Sequence, residues 1–190
     1  MLDIPCVIFA GGKSSRMGED KALLPFASYT TLTEFQLSRL SKIFKTIYIS
    51  CRNKNKFDFD ANFIEDVQKG DIFAPTLGFV SIFEKIKENS FFAISVDTPF
   101  VSLKEIDKLV EFNGLAYDAV VAKTEEGIHP LCGIYSRSLQ RSFEDMLLHD
   151  NHKLGFLLKN ANTKYVDFSD SKAFLNLNHP HDYQKALTLI

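Results

Sequence analysis

Five apolar residues, Cys6-Val-Ile-Phe-Ala10, run without a polar interruption into Gly11-Gly-Lys-Ser-Ser-Arg-Met-Gly18 and then Glu-Asp-Lys21. A strand with no polar face has to be covered on both sides, as in a parallel sheet held between two layers of helices. Gly11 and Gly12 permit a sharp turn and a close approach of backbone to an anion. Ser14 and Ser15 offer hydroxyls, and successive N–H groups in such a turn form an anion-binding concavity. Arg16 and Lys21 add charge that persists at neutral pH. A plain strand-to-helix turn with a solvated basic face needs less than this. The loop therefore points to a polyphosphate site.

Two common nucleotide signatures do not fit. A Walker A loop requires a glycine five residues ahead of its Gly-Lys-Ser, and Val7 stands there ahead of Gly12-Lys13-Ser14. A dinucleotide fingerprint requires Gly-x-Gly-x-x-Gly, a spacing that Gly11-Gly12 does not supply.

Further along, strands and helices alternate. Thr31-Leu-Thr-Glu34 reads as a capping box opening a helix with Leu32, Phe35, Leu40, Ile43 and Phe44 at helical spacing. Strands are expected at 46–50, 61–65 and 91–95, with a loop at 67–74 and a helix at 77–89. Ser102-Leu-Lys-Glu105 is a second capping box, and Leu103, Ile106, Leu109 and Val110 mark its buried stripe. Strands follow at 118–122 and 131–135, helices at 138–148 and 154–158, a late strand at 165–168, and a last helix near Pro180. Strands separated by helices of this length imply βαβ units. The fold class is α/β: a three-layer αβα sandwich around a Rossmann-like, mostly parallel sheet. With no repeat or linker, residues 1–190 read as one domain.

Composition narrows the function. A hydrophobic content of 45% with 18 phenylalanines is ample for a core. A net charge of −2 gives no general reason to bind nucleic acid or an anionic membrane, and Arg52 to Lys56 reads as a solvated loop. Cys6, Cys51 and Cys132 leave one cysteine unpaired in any disulfide scheme, which suits a reducing compartment. The N-terminus does not resemble a secretory signal, and no apolar run approaches the roughly 20 residues of a membrane span. The cytoplasm is the expected location.

In open α/β sheets ligands bind beyond the carboxyl ends of the strands, and the polar residues of interest fall there in succession. The first strand delivers the loop, the third Glu65-Asp66, and the fourth Ser95-Val-Asp-Thr-Pro99. Asp97 follows a phenylalanine- and isoleucine-rich run, and Pro99 biases Thr98 away from helix. A rigid carboxylate beside a polyphosphate suits Mg²⁺, which favours one or two carboxylates plus phosphate oxygens.

Phe9-Ala-Gly-Gly-Lys-Ser-Ser-Arg-Met-Gly-Glu-Asp-Lys21 resembles the opening signature of the nucleotidyltransferases that build sugar nucleotides and cofactor nucleotides, with Phe9 replacing their usual leucine. Among these the chain most resembles the molybdenum cofactor guanylyltransferases. The resemblance implies nucleotide contacts from Phe9, Ala10, Gly11, Gly12, Ser14 and Lys21. It also implies a catalytic group of Arg16, Lys21 and Asp97, with Asp97 as the metal ligand. Asp66 matches an aspartate of the nucleotide pocket. Ser50 falls where some members carry a base-contacting asparagine. Ala74-Pro-Thr-Leu-Gly78 keeps Pro75 and Gly78 of a motif that lies beside the base, with Ala74 in place of its first glycine.

Towards the C-terminus, Val166-Asp-Phe-Ser-Asp170 and Phe174-Leu-Asn-Leu-Asn-His-Pro180 are similar to a signature of the same family. Asn176 and Asn178 point the same way if Leu175 and Leu177 are buried in a strand. His129 matches a position near the acceptor site. Lys153 lies where many members carry an arginine facing the pterin phosphate. His179 and His181 flank a helix start.

The reaction implied is transfer of GMP from GTP to molybdenum-bound molybdopterin, with Mg²⁺ as cofactor. Molybdoenzymes or molybdopterin-handling proteins are the implied protein partners. A molybdopterin cytidylyltransferase or a sugar-phosphate nucleotidyltransferase is the alternative within the fold. A non-catalytic nucleotide-binding module is the alternative outside it, and Asp97, Lys21 and Arg16 weigh against that module.

Overall fold

Strand β1 (Cys6–Phe9) divides its side chains by the two-residue period of a strand. Cys6 and Ile8 enter one buried cluster, and Val7 and Phe9 enter a second on the opposite face. This computed structural model describes residues 1–190 apart from Lys13, Ser15, Arg16 and Asp71.

The sheet has seven strands in the order β3-β2-β1-β4-β6-β5-β7. The others are β2 (Ile47–Cys51), β3 (Phe63–Glu65), β4 (Ser90–Ser95), β5 (Ala119–Thr124), β6 (Gly127–Ser136) and β7 (Thr163–Asp167). β1 pairs in parallel with β2 and β4, β2 with β3, and β5 with β7. β6 pairs antiparallel with both β4 and β5, so it alone runs against the rest of the sheet. The expected three-layer sandwich is present. α1 (Leu32–Leu40), α3 (Leu103–Val110) and α6 (Pro180–Leu187) cover the face of Ile8. α2 (Pro75–Lys85), α4 (Gln140–Leu148) and α5 (Leu154–Asn160) cover the face of Phe9. On that second face Phe79 stacks on Phe143 at 4.2 Å and meets Phe9 at 4.8 Å.

Local chemistry explains where elements begin and end. At α3 the box is complete: Ser102 caps the helix and its backbone N–H donates to Glu105 at 2.9 Å. At α1 only half forms. Thr31 Oγ1 accepts from the Glu34 N–H at 3.0 Å, while the Glu34 carboxylate takes the Thr30 hydroxyl instead. α1 stops at Leu40, short of Ile43 and Phe44. Phe44 is nevertheless buried against Phe92, because the turn that follows the helix also packs on the sheet. α2 starts earlier than its apolar stripe, at Pro75, whose missing N–H costs nothing in a first turn. β6 begins at Gly127 rather than Leu131, and the β5–β6 register slips between Val121 and Ala122. Cys6, Cys51 and Cys132 are free and buried.

Candidate active site

β1 and β4 are neighbours, so the two segments that follow them open side by side at the carboxyl edge. Lys21, from the loop after β1, places Nζ 2.6 Å from Asp97 Oδ2, just beyond β4. Both side chains are only 14% exposed. The same ammonium donates to Asn178 Oδ1 at 3.2 Å, and the Lys21 N–H donates to Ser14 Oγ at 3.0 Å. The other Asp97 oxygen accepts the Ser95 hydroxyl at 2.6 Å. The Leu177 N–H donates to the Asp97 carbonyl at 3.0 Å, which brings the C-terminal segment onto the turn. That segment is extended coil after a short 3₁₀ turn (Ser171–Phe174), not the expected strand. Leu177 is buried and Leu175 half-buried, so Asn178 reaches Lys21 while Asn176 lines the adjoining groove.

The Asp97 turn is held from behind by α1. Gln36, fully buried, donates to the Ser95 and Val96 carbonyls at 3.1 and 3.0 Å. Arg39 donates to the Val101 carbonyl, the Thr98 carbonyl and Gln36 Oε1. Burial brings this guanidinium down to about 10, so it stays charged at neutral pH. The sequence carried a signal for Gln36: it sits four residues from both Leu32 and Leu40, a polar side chain on the core face.

A second cluster forms where β1, β2 and β3 end. Ser50 Oγ donates to Asp66 Oδ1 at 2.6 Å. A methyl group on Gly78 would lie 2.6 Å from Ser50 Oγ, 3.1 Å from the Phe9 ring and 3.2 Å from Asp66 Oδ1. One on Gly11 would lie 2.6 Å from Asp66 Oδ2. Both glycines thus make room for one carboxylate, which burial pushes above its ordinary 3.8 although Ser50 and Lys56 pull it down. A cleft of about 220 Å³ runs between the clusters, lined by Phe9, Ala10, Gly11, Gly12, Ser14, Lys21, Asp66, Pro75 and Asp97 among others.

The MobA-like NTP transferase family model matches residues 6–165. A molybdenum cofactor guanylyltransferase of Campylobacter jejuni subsp. doylei is 40% identical over 183 residues, covering 96% of this chain and 95% of that one. Another molybdenum cofactor guanylyltransferase, from Helicobacter pylori strain G27, is 34% identical over 193 residues, covering 99% and 94%. The chain belongs to the MobA-like NTP transferases. The crystal structure of molybdopterin-guanine dinucleotide biosynthesis protein A from Archaeoglobus fulgidus shares the fold, with a TM-score of 0.84, 22% identity and 98% coverage of both chains.

Within this MobA-like frame, a groove beside Asp97 is lined by His129, Leu154 and Asn176. His129 stacks on Phe174 at 4.7 Å and lies 3.0 Å from Thr124 Oγ1. Burial lowers it below 6.5 although Glu126 pulls it up. Lys153 is exposed ahead of α5 and does not line that groove, although its neighbour Leu154 does. His179 and His181 flank the start of α6, as expected. Arg16, with Lys13 and Ser15, lies outside the described residues.

The basic stretch 52–56 departs from its expectation as a solvated loop. Asn53, Lys54 and Asn55 are exposed. Lys56, however, donates to the Ala10 carbonyl at 3.0 Å and pairs with Asp20 at 2.7 Å. Arg52 lies over the Phe73 ring, 4.2 Å from its centroid. Lys56 thus ties Ala10 to Asp20 at the two ends of the loop after β1, and Arg52 lines the cleft, which charge patterning alone does not reveal.

The donor set fits magnesium. Among the described residues no group of three or more His, Cys, Asp or Glu side chains could cage a metal. Asp97 instead offers hard carboxylate oxygens beside Lys21, a setting in which Mg²⁺ would take its remaining ligands from phosphate and water.

Proposed function

We propose that the chain transfers GMP from GTP to the terminal phosphate of molybdenum-bound molybdopterin, releasing pyrophosphate. The contact of Lys21 with Asp97 carries the assignment, because it brings the loop cation and the candidate metal carboxylate to one point beside the cleft. An acceptor phosphate oxygen attacks the α-phosphorus as the bond to the β-phosphate oxygen breaks. That oxygen is already ionised at neutral pH, so the reaction needs no general base. Catalysis is positioning together with stabilisation of developing charge. In this reading Lys21, and Arg16 as the family resemblance implies, neutralise charge that develops on the α-phosphate and the departing pyrophosphate. Asp97 would hold Mg²⁺, which would supply further charge neutralisation at the phosphates.

Phe9, Ala10, Gly11, Gly12 and Ser14 hold the nucleotide from the β1 side. Ser50, Asp66, Pro75 and Gly78 flank ribose and base. His129, Asn176 and Asn178 address the pterin, with Lys153 at the outer margin. Residues 1–190 act as one catalytic domain in the cytoplasm, passing product to molybdoenzymes or to proteins that handle molybdopterin.

The test is pyrophosphate release from purified protein with GTP, Mg²⁺ and molybdenum-loaded molybdopterin. Asp97→Ala and Lys21→Ala are expected to fold and to lose turnover by about 10²-fold or more, as when one preorganised charge partner is removed. Wild-type turnover in either variant, or release driven equally by CTP, defeats the assignment.

A further inference from the structure

Arg52 follows directly after β2, and its backbone N–H lies beside Gly11. Its guanidinium is fixed on two sides: Nη2 donates to the Gly70 carbonyl at 2.9 Å, and Cζ lies 4.2 Å from the centroid of the Phe73 ring. Nη1 is buried and has no hydrogen-bond partner among the described residues. A buried donor left unmade is expensive. The same residue lines the cleft with Asp66, Gln68 and Phe73, so it stands at the cleft with hydrogen-bonding capacity that the described residues leave unused.

Sheet order says which part of a nucleotide supplies that acceptor. β1 separates β2 from β4, and adjacent strands lie about 4.8 Å apart. Arg52 therefore stands about 10 Å across the sheet from the Lys21–Asp97 end. With the phosphates there, the β2 end falls to the base. The cleft that Arg52 lines also presents Phe9, Ala10, Pro75 and Leu77, apolar surface suited to a flat ring. Guanine offers two acceptors on one edge, O6 and N7, which an arginine fork matches. Adenine replaces one with a donor, and cytosine carries an amino donor in that region.

We propose that Arg52, held against Phe73, reads guanine by donating guanidinium N–H groups to the O6/N7 edge. The proposal rests on the guanylyl-transfer reading above and names the residue that sets its base preference. A lysine here would keep the charge but lose the planar fork.

Binding of GTP, ITP, ATP and CTP with Mg²⁺, without acceptor, is measured by titration calorimetry on wild type, Arg52→Met and Arg52→Lys. ITP keeps O6 and N7. In Arg52→Met, GTP and ITP are expected to weaken about 10- to 100-fold, while ATP and CTP stay within about twofold. Arg52→Lys is expected to lose the GTP preference comparably, and it carries the test if Arg52→Met lacks a wild-type thermal midpoint. Equal loss for all four nucleotides would make Arg52 a phosphate contact and overturn the proposal, as would an unchanged preference in the variants. A wild type that shows no preference for GTP removes the functional reading and this proposal together. A wild-type preference that survives in the variants removes this proposal alone.

Discussion

Lys21 Nζ occupies Asp97 Oδ2 at 2.6 Å while the Ser95 hydroxyl occupies Oδ1 at the same distance. Both oxygens of the candidate metal ligand are therefore engaged before any substrate arrives. A cation and Lys21 compete for one oxygen, and nucleotide phosphate is the group that can draw the lysine away.

Lys21→Met is accordingly expected to bind Mn²⁺ more tightly than wild type in the absence of nucleotide, by roughly tenfold. Removing a full positive charge at such range is worth about 1 kcal/mol or more even in a watery dielectric. GTP binding should weaken in the same variant. Electron paramagnetic resonance of free Mn²⁺ during titration gives the first quantity. Unchanged or weaker Mn²⁺ binding in Lys21→Met contradicts the competition.

Asp66→Asn is expected to stabilise the protein at neutral pH and to weaken GTP binding. Burial raises the folded-state pKa of Asp66 above its unfolded value. The folded state then binds the proton more tightly, and stability falls as pH rises from about 3.8 through the raised value. The cost remains in full above that window. Asparagine removes it and can still accept from Ser50. Denaturant unfolding between pH 4 and pH 8, on wild type and variant, should show this loss of stability only in wild type.

Gly78→Ala is expected to cost about 1–3 kcal/mol, the usual range for overpacking a filled site. The added methyl would meet Ser50 Oγ at 2.6 Å, so the first consequence is loss of the Ser50–Asp66 bond. In a Ser50→Ala background that obstruction is gone. The same substitution should then cost less, giving a non-zero coupling in a double-mutant cycle. Equal costs in both backgrounds would mean the methyl is resisted by Phe9 instead.

Gln36→Leu keeps the apolar stripe of α1 but leaves the Ser95 and Val96 carbonyls without their amide donor. It is expected to lose about 1–3 kcal/mol. Turnover should fall through kcat while GTP affinity holds, because the side chain acts on the Asp97 turn and not on the nucleotide. A stability loss with wild-type kcat would limit Gln36 to a structural role.

The sequence made the layered fold legible because each strand advertises its burial and each helix its stripe. The uninterrupted apolarity of Cys6–Phe9 and Phe91–Ile94 could belong only to covered strands. The convergence of Lys21, Asp66 and Asp97 on one cleft was legible because polar residues are concentrated locally at the strand ends. The site was illegible where a residue's meaning depends on what folding places beside it. Arg52 and Lys56 read as ordinary surface charge until Phe73, Ala10 and Asp20 come to meet them. The Asn176–Asn178 segment was expected to align its two amides through a strand period, but it is extended coil, and a hydrogen bond from Leu177 to the Asp97 peptide fixes it instead. The antiparallel sense of β6 was also hidden, since an apolar run carries no direction.

The bond from Leu177 to the peptide of Asp97 means that the chain's last stretch is fastened to the residue that would hold the metal. A chimera joined between β7 and α6 cannot exchange the tail of one homologue for another while leaving the Asp97 turn undisturbed. On the proposed reading, acceptor choice and metal placement would be inherited as a unit.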